Sequence, residues 1–183
     1  MKATGIVRRI DDLGRVVIPK EIRRNFRIRE GDPLEIYTND EGLVILKKYS
    51  AMSELADFAS QYAESLAKTS GYITCITDRD SVVAVSGAPK KDYLDKRITP
   101  ELERIMEERV TVIAKNKSER SIPVLEGISH DEYSAQVITP IISHGDPIGA
   151  IIMLTTDTQA TMGDLESKLT QAAANVIGSQ LEQ

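Results

Sequence analysis

The sequence predicts an α+β protein in two parts: a small β domain over residues 1–50, then an antiparallel sheet with helices over residues 51–183. Three observations lead there. The first fifty residues are short alternating runs punctuated by Gly, Pro, Asn and Asp, the pattern of strands and turns. Apolar residues recurring at three- and four-residue steps, the mark of amphipathic helices, become sustained only after Ser50. Charge also changes sign between the parts. Through Arg29 there are nine basic residues (Lys2, Arg8, Arg9, Arg15, Lys20, Arg23, Arg24, Arg27, Arg29) and three acids (Asp11, Asp12, Glu21), a net of +6; since the whole chain is −5, the remainder is −11.

Ile6 to Ile10 alternates, with Ile6 and Arg8 on one side and Val7 and Arg9 on the other, and reads as a strand. Asp11, Asp12 and Gly14 supply turn chemistry, and RVVI from Arg15 to Ile18 is a second short strand. Pro19, its φ preset for a first helical position, opens a helix in which Ile22 and Phe26 share a face and Arg23, Arg24 and Arg27 point largely outward. After Gly31, Asp32 and Pro33, LEIYTNDEGLVILKK gives two alternating runs about an Asn-Asp-Glu-Gly turn, a hairpin. Leu34 and Ile36 share one of its faces, Glu35 and Tyr37 the other, and Leu43 to Leu46 is apolar on both. A segment of this size cannot enclose so much apolar surface alone. Two copies are therefore expected to interleave their hairpins into one core, an obligate dimer about a two-fold axis.

KKYSAMS leads directly into a helix, with Ser50 the candidate cap and Met52, Leu55, Ala56, Ala59, Tyr62, Ala63 and Leu66 along one side; Thr69, Ser70 and Gly71 stop it. So direct a junction leaves little flexible tether, so events in the second part would be felt by the first. YITCITD and SVVAVSG form a second hairpin about Asp78, Arg79 and Asp80. Thr99 as cap and Pro100 as first residue open a helix with Leu102, Ile105 and Met106 inward, and VTVIA is a strand. Residues 115–133 are polar without a sustained period. SAQVITPIISHGDPIGAIIMLTTD reads as two long strands about a Gly145-Asp146 turn. The last helix opens with a capping-box pattern from Thr161 to Asp164 and runs through Leu165, Leu169, Ala172, Ala173, Val176 and Ile177. This order implies a sheet with helices mainly on one face, the first and last side by side. Their small-residue stripes suit close packing of helices between subunits.

A basic segment held by an acidic body points to a polyanion, with double-stranded DNA the leading expectation. Arg8, Arg15, Arg23 and Arg24 are the candidate contacts, because a guanidinium fork matches both phosphate oxygens and the O6 and N7 of guanine. Arg9, Lys2 and Lys20 are expected at phosphates only. Arg27 and Arg29, beside Glu30 and Asp32, read as a solvated face. No helix-turn-helix or zinc-finger pattern is present, so strands, loops and duplex deformability would do the reading, with a relaxed sequence preference.

TGIVRRIDDLGRVVIPKEIRRNFRIREGDPLEIY and the hairpin strand after it resemble the swapped-hairpin DNA-binding domain of the AbrB family of bacterial transition-state regulators. The combination I-D-x-L-G-R-V-V-I-P-K-E-I-R carries the resemblance, which implies DNA contacts from arginines of the first strand, the turn and the short helix, here Arg8, Arg15, Arg23 and Arg24. The second part looks like a GAF domain, chiefly in VITPIISHGDPIGAIIML. As a whole the chain resembles sporulation regulators that join the two, which implies assembly into a tetramer and activation or repression of sporulation-stage genes in the developing spore. GAF domains commonly hold a small ligand between sheet and covering loops, implying a small-molecule effector of unidentified chemistry, with no ligand-binding residue assigned. The Asn-Lys-Phe-Asp-Glu signature of cyclic-nucleotide GAF domains is missing, and Cys75 lies in a strand rather than where a bilin thioether is expected. Residues 115–133 are the candidate lid, with a plain surface loop the alternative.

Other classes are disfavoured. The longest uncharged apolar run, Ile148 to Leu154, falls far short of the ~20 residues of a membrane span; a cytoplasmic protein with no membrane contact is expected. The single Cys75 excludes an internal disulfide and any zinc site of two or more cysteines, and YITCITD reads as a buried strand. His130, Asp131 and Glu132 are adjacent and cannot converge on one ion as an i, i+4 helical pair does. No P-loop, nucleophile elbow or dinucleotide fingerprint occurs, and no catalytic residue, metal or cofactor is expected. The alternative function is an antitoxin-like swapped-hairpin DNA binder whose C-terminal part binds a protein partner. The periodicity of a folded domain, rather than of a short tail, favours the regulator.

Overall fold

The computed structural model describes residues 4–127 and 132–182. They form two compact units, Met1–Tyr49 and Ser50–Gln183.

In the first unit the chain turns at residues 11–14: the Gly14 amide donates to the Asp11 carbonyl and the Asp11 amide to the Arg15 carbonyl, both at 3.1 Å. Gly14 takes φ 76°, a left-handed conformation costly for other residues. The runs 6–10 and 15–18, expected as strands, belong to no β ladder within the chain. Alternation marks a face to be buried, but a ladder also needs a neighbouring backbone, and β1 and β2 pair only with each other. Pro19 is the N-cap of α1 (Lys20–Asn25) rather than its first residue, its carbonyl accepting from the Arg23 amide at 2.9 Å. β1 (Leu34–Thr38) and β2 (Val44–Lys48) form the expected hairpin, in register from Leu34↔Lys48 to Thr38↔Val44. The Asn39 Oδ1 accepts from the Leu43 amide at 2.8 Å and closes its turn.

The base of the hairpin is tied to the chain after α1. The Asp32 carboxylate, its side chain 3% exposed, accepts from Lys48 Nζ at 3.1 Å and from the Arg29 amide at 2.8 Å. Lys48 Nζ also donates to the Arg27 carbonyl at 3.0 Å. Arg27 and Arg29 are consequently half-buried, which corrects their reading as a solvated face. Within residues 4–49 Pro19 alone is buried. Val7, Leu13 and Val17 are at least 69% exposed, and Phe26, Ile36 and Val44 at least 66%. Taken as a single chain, the described residues of this unit enclose no core.

The second unit opens with two helices, α2 (Ala51–Glu54) and α3 (Ala56–Ser70), where one was expected; the break is at Leu55, φ −97°, ψ 18°. Ser50 is the N-cap, but its hydroxyl donates to Asp78 Oδ2 at 3.0 Å instead of capping the helix, a carboxylate being the stronger partner. Gly71 ends α3 at φ 76°. Then follow β3 (Ile73–Thr77), β4 (Val82–Ser86), the single-turn α4 (Lys90–Tyr93), α5 (Pro100–Glu108), β5 (Val112–Ala114), β6 (Ala135–Ser143), β7 (Asp146–Thr155) and α6 (Asp164–Gln180). Thr99 caps α5 as expected, Oγ1 accepting from the Leu102 amide at 3.2 Å. The β6–β7 turn is His144-Gly145, at φ 48° and 83°, with Asp146 already in β7. The cap of α6 is Gly163 rather than Thr161: its amide donates to Glu166 Oε2 at 2.7 Å.

The five strands run β4-β3-β7-β6-β5, antiparallel throughout. α3 and α6 cover one face, enclosing Ala59, Ala63, Ile76, Val137, Ile151, Met153, Ala174 and Ile177. α5 and residues 121–125 cover the other, over Cys75, Ile138, Ile152 and Leu154. Helices thus lie on both faces, not mainly on one, because β3, β6 and β7 are apolar on both sides and each side needs a cover. Much of the presumed lid is fixed. Val124 and Leu125 are buried, Thr99 donates to the Pro123 carbonyl at 2.5 Å, and the Gln136 amide pairs with both the N–H and the carbonyl of Ile122.

α6 presents an unexpected side to the sheet. It buries Ser167, Thr170, Ala173, Ala174, Ile177 and Gly178 and leaves Leu165 and Val176 67% and 42% exposed. At Gly178 a Cβ would lie 2.2 Å from the Ile142 carbonyl oxygen, so the helix rests on its smallest residues.

Candidate nucleic-acid interface

The basic residues expected at DNA belong to the first unit. Lys20, Arg23 and Arg24 stand at i, i+3 and i+4 of α1, so helix geometry puts them on one face, with half-buried Ile22 opposite. All three are exposed. Among the described residues none of them, nor Arg8 or Arg9, spends its charge on an ion pair or side-chain hydrogen bond. Arg8 and Arg9 lie before the turn at 11–14, also exposed, and Lys2 lies outside the described residues. The helix therefore unites three of the predicted groups, while Arg8, Arg9 and Arg15 sit on the stretches flanking the turn.

Arg15 differs from the others. Its Nε donates to Asp11 Oδ2 at 2.8 Å, and its amide donates to Asp11 Oδ1 at 2.8 Å. The Leu13 amide adds a bond to the same oxygen at 3.0 Å. The Arg15 amide first, and its guanidinium second, hold the Asp11 carboxyl below its usual pKa. The sequence marks Asp11 as a turn residue, and the pairing with Arg15 is a second role. An acid four residues ahead of an arginine, across a glycine turn, was the signal for this pair.

The second unit holds a different set of groups. Tyr133 is 3% exposed, and its hydroxyl lies enclosed beside that of Tyr93 without a hydrogen bond of good geometry. Burial first, and then Tyr93, pushes the Tyr133 phenol well above its ordinary value; burial likewise raises Tyr93. Burial also pushes the Cys75 thiol up to about 12, leaving it a core group rather than a nucleophile. His130 and Asp131 lie outside the described residues. Among the described residues no group of three or more His, Cys, Asp and Glu could hold a metal ion, and no helix is long and apolar enough to cross a membrane.

Residues 54–182 match the family described as stage V sporulation protein T C-terminal, transcription factor, and residues 7–53 the family described as antidote-toxin recognition MazE, bacterial antitoxin. The chain is 52% identical to stage V sporulation protein T of Bacillus subtilis (strain 168) over 183 residues, the whole of both. Its first part is 65% identical over 49 residues to the transition state regulatory protein AbrB of the same organism, covering 27% of this chain and 50% of that one. The GAF domain of an Acinetobacter phosphoenolpyruvate-protein phosphotransferase superposes with a TM-score of 0.59 at 10% identity, over 74% of this chain and 84% of that one, which shows a shared fold. An AbrB-like first part and a GAF fold are both present. With identity sustained from end to end, the chain belongs to the family of stage V sporulation protein T transcription factors.

Proposed function

We propose that this chain regulates transcription of sporulation-stage genes from the cytoplasm by gripping double-stranded DNA with its first unit. The observation that carries the reading is the face of α1 bearing Lys20, Arg23 and Arg24, exposed and unengaged among the described residues, in a segment of net charge +6. Arg8, Arg15, Arg23 and Arg24 reach phosphates and base edges; Arg9, Lys20 and, from the sequence, Lys2 reach phosphates. The exposed Val7, Val17, Phe26, Ile36 and Val44 support a swapped-hairpin dimer, since a unit without a core must find one in a second copy. Leu165, Ala172 and Val176 are exposed on the outer side of α6, with half-buried Leu169 at its margin, and suit a helix-to-helix contact that joins dimers into a tetramer. The GAF unit is the place for a small-molecule effector. The antitoxin-like reading fits less well, because residues 50–183 fold around buried layers on both faces of a sheet rather than trailing as a tail.

Anisotropy titration of a short labelled duplex with the full chain tests this. Arg23→Glu combined with Arg24→Glu weakens binding by on the order of a hundredfold while the circular dichroism stays that of the parent. Undiminished affinity would overturn the assignment.

A further inference from the structure

An arginine that reads bases gains when its guanidinium plane is fixed before the duplex arrives, since a freely rotating fork loses entropy on docking. In the first unit, Lys20, Arg23 and Arg24 have no such support among the described residues, and neither do Arg8 and Arg9. Arg15 does. Asp11 Oδ2 takes its Nε at 2.8 Å, while Asp11 Oδ1 is held by the amides of Leu13 and Arg15 at 3.0 and 2.8 Å. The carboxylate is thus itself fixed by the turn, with Gly14 at φ 76° and bonded to the Asp11 carbonyl. Only the Nε edge of the guanidinium is engaged. Both terminal amino groups are left free to present an end-on fork, the geometry that matches O6 and N7 of guanine or two phosphate oxygens. The Arg15 side chain remains 69% exposed, so the pairing orients the group without hiding it.

We propose that Asp11 is a positioning residue for recognition: it buttresses Arg15 through Nε, so that one arginine per chain meets the duplex in a preset orientation while the unsupported ones adapt to it on docking. The inference rests on Arg15 touching DNA, and it assigns Asp11 a part in discrimination between sequences. An acid this close to a polyanion opposes general binding. Its presence is explained if the orientation it imposes gives more at the right site than its charge loses everywhere.

This makes the effects on two quantities opposite in sign. Affinity is measured for a duplex enriched by the parent chain from a random pool, and for mixed-sequence competitor DNA, on the full-length protein. Asp11→Asn keeps a carbonyl oxygen for the turn amides but removes the charge from Nε. It lowers the ratio of the two affinities by roughly fivefold or more, while affinity for competitor DNA stays level or rises. Arg15→Lys, which keeps the charge without the fork, lowers the ratio likewise, and adding Asp11→Asn to Arg15→Lys lowers it no further. The Arg15 Nε–H resonance, resolved in the parent, moves toward the free-arginine position in Asp11→Asn. Two affinities falling together with lost circular dichroism would make Asp11 a turn cap only and overturn the proposal; two affinities rising in proportion would make it a mask and overturn it too. If Arg15→Ala changes neither affinity, the assignment of Arg15 to the duplex fails at the same time. If Arg15→Ala weakens binding but Asp11→Asn leaves the ratio intact, the buttress alone fails.

Discussion

Removing Arg23 should change not only how tightly the protein holds DNA but how steeply that grip depends on salt. Each phosphate neutralised releases counterions and contributes a slope of about −0.9 in log K against log salt. Arg23 is exposed on α1 and spends its charge on no ion pair among the described residues, so Arg23→Ala removes one cation and strands no partner there. Two copies in the bound form would flatten the slope by about 1.8, and between 50 and 200 mM salt, about 0.6 log units, the variant would lose about tenfold less affinity than its parent. Arg24→Ala should behave alike. Arg15→Ala should flatten the slope less, because Asp11 at 2.8 Å already offsets that charge. Lys48→Ala, with Nζ 3.1 Å from a buried Asp32 carboxylate, should leave the slope alone and act on stability instead. Anisotropy titrations at four or more salt concentrations read all four. Equal slopes in Arg23→Ala, Arg24→Ala and the parent would remove α1 from the interface, and a slope as strongly reduced in Lys48→Ala would show that net charge, not position, sets the binding.

Four further outcomes are expected. Asp32→Ala leaves Lys48 facing a void and should destabilise the hairpin by about 3 kcal/mol, seen as faster hydrogen exchange of the β1–β2 amides. Gly178→Ala should lower the melting temperature although alanine favours helices by about 1 kcal/mol, because its Cβ would meet the Ile142 carbonyl at 2.2 Å; the exposed Ser179→Ala is the control that should not. Cys75, with its folded pKa raised to about 12, contributes stability in full below the pKa of the unfolded thiol. Above that pH the unfolded thiol ionises first, so stability falls by about 1.4 kcal/mol per pH unit; urea unfolding from pH 9 to 11 should show the parent losing more than Cys75→Ala. Leu165→Glu with Val176→Glu should halve the mass of the largest assembly in light scattering without lowering the melting temperature, since both side chains are exposed.

What the sequence made legible follows from how local each feature is. The β1–β2 hairpin was readable because Asn39 and Gly42 are turn residues whose own side chain and φ build the turn. The start of α5 was readable because Thr99 and Pro100 act within one turn of themselves. The ladderless runs at 6–10 and 15–18 were readable as alternation, but pairing depends on a neighbour that local pattern does not name. The inner side of α6 is not legible because side-chain hydrophobicity does not decide it. Leu165 and Val176 outrank Ser167 and Thr170 on any apolar scale, yet the close approach at Gly178 decides, and Thr170 is satisfied there by Thr139 at 2.8 Å. Among the site residues, cations announce themselves by type. The tie of Arg15 to Asp11 depends on a turn geometry that spacing hints at and only coordinates display.

If the first unit completes its core only by pairing, as proposed, the reading head would give the cell a meter of abundance. Where chains are scarce and mostly single, doubling their number raises the count of assembled pairs by about fourfold, so target genes would answer a slow rise in synthesis with a sharp onset. The bare Val7, Val17 and Phe26 would then set timing as well as architecture: any substitution that tightens or loosens their burial shifts the moment at which the programme begins.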